Sequence, residues 1–461
     1  MDRGEFLYGD FVSQFSFPPT ADQDALLKDV AGFIVSDDYD ILVINGYAGT
    51  GKTTAIAAVT KSLLELKVRS VLLAPTGRAA KVLSNYTHRP AFTVHKHIYR
   101  AKGFKEGGWG DFSLAPNKAR DTLFVVDEAS LIGLDNNLME DLVSFVRNGV
   151  DCKLILIGDS AQLPPVGMDE SPAFFKEFMD GFGGVCYSTL REVVRQKLES
   201  GILYNATILR NHIEKDSPEG IRLHLPFPDV ERLRGGELIE KLQDAYSTYG
   251  EDETVVLCRS NKRALRYNAG IRAMVQFEED QLVRGDKVMI VKNCYQFVEN
   301  VEGMDYIANG DIAKIVGSPK HFEERYGLHF ADVTLSFPDY GDQEIDVKVI
   351  LDALQSETAS ISAEQQEALF QGVLEDYSDL STKKKRYDAV KEDKYYNALQ
   401  LKYASAITCH KSQGGQWDCV FIDNPFWMDE LTTDDLKWMY TAMTRAVKKV
   451  YLVNFKDEFF D

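Results

Sequence analysis

Ile41-Leu42-Val43-Ile44, followed by Gly46-Tyr47-Ala48-Gly49-Thr50-Gly51-Lys52-Thr53, is the stretch that decides the fold. Four consecutive apolar residues predict a buried strand. The segment from Gly46 to Thr53 fits GxxxxGK[ST] and runs into a helical sequence, the strand–loop–helix setting in which that pattern cradles a phosphate chain. The glycines let backbone N–H groups wrap a β-phosphate, and the next helix presents its positive end. Lys52 is expected to reach the β- and γ-phosphates and Thr53 to ligate Mg²⁺. Gly46, Ala48, Gly49, Thr50, Gly51 and Thr54 complete the expected nucleotide-binding set, with ATP and Mg²⁺ as the expected cofactors.

Further along the chain, apolar runs recur at Val71 to Ala74, Leu123 to Val126 and Leu154 to Ile157, with helix-length spacers. Such runs predict an open α/β sheet of buried parallel strands. A second set, Thr254 to Leu257, Cys419 to Ile422 and Val450 to Val453, predicts a second α/β domain in tandem. The strand Leu123 to Val126 leads into Asp127 and Glu128. Asp127 is placed to hold Mg²⁺ at the carboxyl end of a strand, and Glu128 to orient and deprotonate a water. Beyond Ile157, Gly158-Asp159-Ser160-Ala161-Gln162 brings an amide to the same edge, where Gln162 can sense a γ-phosphate; a solvated loop stopped by Pro164-Pro165 is the alternative. Arg195 and Arg445, from the other half, can neutralise charge as the γ-phosphoryl leaves, and so tie hydrolysis to domain closure. Each arginine alone reads first as a surface ion pair, and only the full motif set turns the reading to the nucleotide site.

Two segments break the alternation. Ala101 to Asn117 holds four glycines around Phe104, Trp109 and Phe112 and predicts a projecting β-hairpin. Residues 281–399 predict an inserted small β-barrel followed by helices from Asp352 to Leu399. The expected division is therefore 1–190 with the hairpin at 101–117, 191–280 plus 400–461, and 281–399.

The 461 residues exceed one ordinary domain, and 44% hydrophobic with 27% charged residues is a globular composition. No apolar run approaches the roughly 18 residues that span a bilayer. The start Met1-Asp2-Arg3-Gly4-Glu5 does not resemble a secretory leader. Six scattered cysteines without a CxxC pair predict buried thiols in a reducing cytoplasm. A net charge of −19 argues against a general polyanion binder, but not against a locally basic or aromatic groove that grips one strand.

The order of these motifs resembles superfamily 1B helicases, the RecD-like and phage Dda-like group. Gln23, in Thr20-Ala21-Asp22-Gln23, resembles the family's adenine-reading glutamine. Pro75 and Thr76, in Leu73-Ala74-Pro75-Thr76-Gly77-Arg78, resemble motif Ia, and His95 in Thr93-Val94-His95-Lys96 resembles motif Ib; both touch the DNA strand in that family. Thr408-Cys409-His410-Lys411-Ser412-Gln413-Gly414-Gly415-Gln416 is similar to motif V, which pairs a strand-contacting face (His410, Lys411) with a turn near ATP (Gln413, Gly415). Tyr440 to Arg445 is similar to motif VI. The resemblance implies two RecA-like P-loop domains, a hairpin (1B) and an inserted SH3-like barrel (2B). The hairpin would be a pin that splits duplex with Phe104, Trp109 or Phe112, although these rings also suit packing on their own domain. The implied activity is ATP-dependent 5′→3′ translocation on single-stranded DNA with unwinding at single-strand/duplex junctions. No membrane or obligatory protein partner is expected, which suits a stand-alone monomer. A DNA-stimulated translocase that remodels protein–DNA complexes without unwinding shares every motif, and a non-motor P-loop scaffold shares the first few.

Overall fold

Alternate residues of the run Ile41–Ile44 enter two different cores. Ile41 and Val43 pack with Leu73, Phe124 and Leu156 on one face, and Leu42 and Ile44 with Leu72, Val125 and Ile155 on the other. Successive strand residues point to opposite faces, so a run that is apolar throughout is buried on both. The computed structural model describes residues 2–15, 17–104, 110–134, 137–194, 199–294, 296–298, 301, 304, 306–426 and 431–461, with backbone alone for 101–104 and 110–112.

The first unit contains β1 (Ile41–Gly46), β2 (Arg69–Ala74), β3 (Ala91–Thr93), β4 (Tyr99–Phe104), β5 (Gly110–Leu114), β6 (Thr122–Val126), β7 (Lys153–Gly158) and β8 (Val185–Leu190). Six of these form a parallel sheet in the order β3-β2-β6-β7-β1-β8, while β4 and β5 pair only with each other as an antiparallel hairpin. The helices Ala21–Val35 and Lys52–Glu65 cover one face. The helix Leu138–Arg147 covers the other through Met139, Leu142, Val143 and Val146.

The second unit is built from β9 (Val230–Leu233) and β10 (Thr254–Cys258), and is completed only after a long insertion. The insertion holds β11 (Lys287–Ile290), β12 (Ile312–Ile315), β13 (Lys320–Arg325), β14 (Leu328–Phe337), β15 (Gln343–Ile350) and β16 (Leu399–Tyr403). Then β17 (Ala406–Thr408), β18 (Trp417–Asp423) and β19 (Ala446–Val453) return to the second sheet. That sheet is parallel, in the order β17-β10-β18-β19-β9. Val255 and Leu257 face one core and Val256 and Cys258 another, the same two-sided burial as in β1.

In the insertion β12-β11-β16-β15-β14 closes on itself through a β12–β14 pairing, a five-stranded barrel with β13 beside it. Helices Ala363–Asp376 and Lys383–Glu392 pack outside it around Phe330, Leu369, Val373 and Val390. The fold class is the expected one: tandem parallel α/β units, a β-hairpin and an inserted barrel. The barrel's last strand runs on to Tyr403, and the hairpin begins at Tyr99. Among the described residues no helix is long and apolar enough to cross a membrane.

Candidate nucleotide site and nucleic-acid interface

The loop after β1 takes the shape its glycines permit. Gly49 and Gly51 have φ of +78° and +80°, where a side chain is strained, and a Cβ on Gly51 would lie 2.3 Å from Gln23 Nε2. Gly51 caps the helix Lys52–Glu65, so its first-turn N–H groups open onto the loop. Gln23 sits beside the loop. Its amide donates to Thr50 O at 3.0 Å and accepts from Thr20 N at 3.0 Å. The Lys52 ammonium folds back onto Gly46 O and stands 3.7 Å from Asp159 Oδ2. A cation resting in its own loop against a carboxylate is poised to exchange both contacts for phosphate oxygens.

Asp127 and Glu128 follow β6 at the same sheet edge. Burial pushes the Asp127 carboxyl up to about 6, the neighbouring Glu128 charge adds to this, and the Glu128 N–H and Lys52 oppose it. Glu128 has φ +54°, a left-handed backbone that turns its side chain out of the strand direction. Glu128 Oε2, Ser130 Oγ and Gln162 Oε1 are buried without a hydrogen-bond partner among the described residues. Buried oxygens rarely stay unpaired. Three of them at the carboxyl edge of the sheet that carries the phosphate loop, beside the Asp127 carboxylate, suit a hydrated Mg²⁺ at Thr53 and Asp127 and a water at Glu128.

The second unit reaches into this site. Tyr440, on the helix Thr433–Met443, accepts from Ala48 N at 2.8 Å and donates to Asp159 Oδ2 at 2.7 Å. Burial and the Asp159 charge raise this phenol well above its ordinary value, so the proton stays on it. Thr441 Oγ1 accepts from Leu163 N at 2.8 Å, and Gln413 Nε2 donates to Leu163 O at 2.6 Å. Tyr47, Ala161 and Leu163 of the first unit lie within one apolar cluster with Ile202, Tyr440 and Met443 of the second.

Arg195 lies outside the described residues; Val194 just before it donates to Gly49 O at 3.1 Å. Arg445 is not brought to the loop. It is buried in its own unit, bonded to Thr441 O at 3.1 Å and Gly415 O at 3.2 Å. Gly415 thereby serves Arg445 through its carbonyl. Two residues went unassigned in the sequence. One is Tyr440, whose phenol does the bridging. The other is Arg210, on the helix Gly201–Glu214, which lies 4.8 Å over the Tyr47 ring with its Nε buried and unpartnered. Tyr440 was legible from its place five residues before Arg445; Arg210 carries no motif.

The residues expected to contact a strand gather beside the barrel. Thr76 caps the helix Gly77–Thr87 by accepting from Ala79 N, and Gly414 packs so closely that a Cβ there would lie 3.2 Å from Thr76 Oγ1. The two segments carrying Pro75-Thr76 and His410-Lys411 therefore meet. Lys411 donates to Asn309 of the barrel at 2.7 Å, and the His95 ring lies 6.1 Å from that of Tyr306. Burial lowers both His95 and His410 from their ordinary value, which favours the neutral rings. The barrel's Tyr340 covers Gly77, and Lys81 bonds Pro338 O and stands 3.6 Å from Asp339. Trp109 lies outside the described residues, as do the side chains of Phe104 and Phe112.

Two family models match the chain: an AAA domain over residues 20–217 and a UvrD-like helicase C-terminal domain over residues 403–453. Uncharacterized protein MJ1519 of Methanocaldococcus jannaschii is 22% identical over 454 residues, 89% of this chain and 36% of that protein. The ATP-dependent RecD2 DNA helicase of Deinococcus radiodurans is 36% identical over 146 residues, 32% of this chain and 18% of that protein. The ATP-dependent DNA helicase dda of Enterobacteria phage T4 is 24% identical over 444 residues, 89% of this chain and 94% of that protein. The chain thus spans about a third or less of the first two relatives and nearly all of the third.

Proposed function

We propose that this chain, a RecD- and Dda-like member of superfamily 1B, is an ATP-driven DNA helicase that moves 5′→3′ on single-stranded DNA and unwinds duplex ahead of it. The observation that carries the reading is the Tyr440 hydroxyl, bound at once to the phosphate loop and to Asp159 from the opposite α/β unit. A nucleotide site shared in this way makes binding and domain closure one event.

In this reading Lys52 leaves Gly46 and Asp159 for the β- and γ-phosphates, and Tyr440 keeps Asp159 paired when it does. Thr53 and Asp127 would hold Mg²⁺, which supplies charge neutralisation at the phosphates. Glu128 accepts the proton of the attacking water, and Gln162 reports the γ-phosphate to the segment that Thr441 and Gln413 grip. Arg195 stabilises the leaving charge. Arg445 takes that role only if closure draws it from Gly415; in the described arrangement it braces motif V. Pro75, Thr76 and His95 hold the strand from one unit and His410 and Lys411 from the other, so a change in cleft width moves one set of grips relative to the other. The proposed division assigns residues 1–190 to 1A with the pin at 101–117, 191–280 and 400–461 to 2A, and 281–399 to 2B. A cytoplasmic monomer is the proposed working form.

Strand displacement from duplexes with a 5′ or a 3′ single-stranded tail tests the proposal, with Lys52→Ala as control. Unwinding from the 5′ tail alone, lost in the variant, is the expected result. DNA-stimulated ATP turnover with no unwinding from either tail would replace it with the remodelling translocase.

A further inference from the structure

On the far side of the hairpin root from His95 the first unit holds a cavity of about 890 Å³. It lies at the amino ends of β2 and β6, whereas the phosphate loop and Thr76 lie at the carboxyl edge of the same sheet. Its rim carries Lys67, Arg69, Arg89, Arg100 and Lys118, and no Asp or Glu lines it. That is a concentrated positive patch on a chain of net charge −19. Among the described residues none of the five is in an ion pair. Lys67, Arg69, Arg100 and Lys118 are exposed; Arg89 is fixed by bonds to Thr60 O and to Ser70, and Arg100 Nη1 donates to Lys96 O, His97 O and Tyr99 O, leaving its other amino group outward. The floor is apolar: Phe124 and Phe145 stand edge-on to the His97 ring at 5.8 and 5.7 Å. Low-dielectric walls under a cationic rim focus the field outward.

The placement supplies the partner. The short helix Val94–Ile98 presents His95 towards the barrel's Tyr306 and His97 towards this cavity. The β4–β5 hairpin springs from Tyr99 and returns at Leu114, and the cavity is lined by Arg100 on one leg and Ala115 to Ala119 just past the other. The hairpin root therefore separates two faces, a strand-gripping one and a basic one. We propose that the basic cavity of Lys67, Arg69, Arg100 and Lys118 binds the sugar–phosphate backbone of the displaced single strand as it leaves the fork. This rests on the helicase reading for the existence of a displaced strand. An acidic peptide fits the same charge, but the position at the hairpin root favours the strand. Contacts from flexible cations to phosphates make the binding independent of sequence and sensitive to salt.

The test uses the full chain on a forked duplex whose non-loading arm is single-stranded and carries one photoreactive thymine. Cross-links are expected in residues 64–71 and 115–119. Neutralising three contacts in Lys67→Gln/Arg69→Gln/Lys118→Gln should lower the slope of log affinity for the arm against log salt by about 2, at roughly 0.7 per phosphate contact. ATP turnover stimulated by unforked single strands should be unchanged, because these residues touch neither the loop nor the strand grips. Cross-links confined to other segments, or an unchanged salt slope, overturn the proposal. So does an acidic peptide that competes for the cavity while the arm does not. Loss of DNA-stimulated turnover in the parent protein would instead refute the helicase reading, and the cross-link map reads the cavity separately.

Discussion

Replacing Tyr440 by Phe isolates the contact between the two α/β units. The ring stays, so the apolar cluster with Tyr47, Leu163 and Met443 keeps its packing. Only the hydroxyl goes, and with it the bond from Ala48 N at 2.8 Å and the bond to Asp159 Oδ2 at 2.7 Å. An orphaned buried N–H costs about 1–3 kcal/mol, and a hydrogen bond to a charged group contributes about 1.5–3 kcal/mol. Partial repair by water brings the sum to about 3 kcal/mol, or about 100-fold at 1.4 kcal/mol per decade. The loss has a direction. Asp159 without its phenol partner leans harder on Lys52, 3.7 Å away, and holds that cation off the phosphates. ATP affinity should suffer first, so steady-state turnover on single-stranded DNA should show KM rising far more than kcat falls. A kcat/KM within about threefold of the parent, under ~1 kcal/mol, would show that the phenol bridge does not set ATP affinity.

Two further outcomes rest on the same geometry. Glu128→Gln should bind a fluorescent ATP analogue as the parent does while turnover falls by about 10²–10⁴, the usual contribution of a general base; retained turnover would remove Glu128 from that role. In the barrel, burial raises the Asp311 carboxyl to about 7, against the N–H of Ala308 and the hydroxyl of Tyr340 that favour its charge. A folded value above the unfolded one stabilises fully below the unfolded value of about 4, and that contribution is lost as pH rises through about 7, with a ceiling of about 4 kcal/mol. Asp311→Asn keeps an acceptor for Ala308 N–H, so its melting temperature should exceed the parent's at about pH 8 and approach it only below about pH 4; a pH-independent difference would show that ionisation is not the cause.

The nucleotide side of the site was legible because its chemistry is local. A phosphate loop needs its glycines, lysine and threonine within eight positions, and an apolar run names its own strand, as at Ile41–Ile44 and Leu123–Val126. The edge strands were not legible. Val185–Leu190 alternates small, polar and aromatic residues, and Val230–Leu233 has two charged residues in four, because an edge of the sheet need not be apolar on both faces. Side-chain contacts between units were also beyond one-dimensional reading. Tyr440 and Ala48 are 392 positions apart, and nothing in either neighbourhood names the other. Arg445 shows the reverse case: the motif around it is plain, yet Gly415 O and Thr441 O hold it inside its own unit. Proximity to a motif specifies a helix face, and packing decides which partner that face meets.

The apolar cluster shared by the two units would give each proposed cycle a thermal signature. Parting Tyr47, Ala161 and Leu163 from Ile202 and Met443 wets carbon surface, and hydrating apolar surface raises heat capacity. Opening is then a step whose enthalpy climbs with temperature, and closure weakens on cooling as the hydrophobic drive fades. If the proposed ATP-driven cycle opens and closes this cluster, turnover should show a curved Eyring plot, with the curvature set by side chains that never touch the nucleotide.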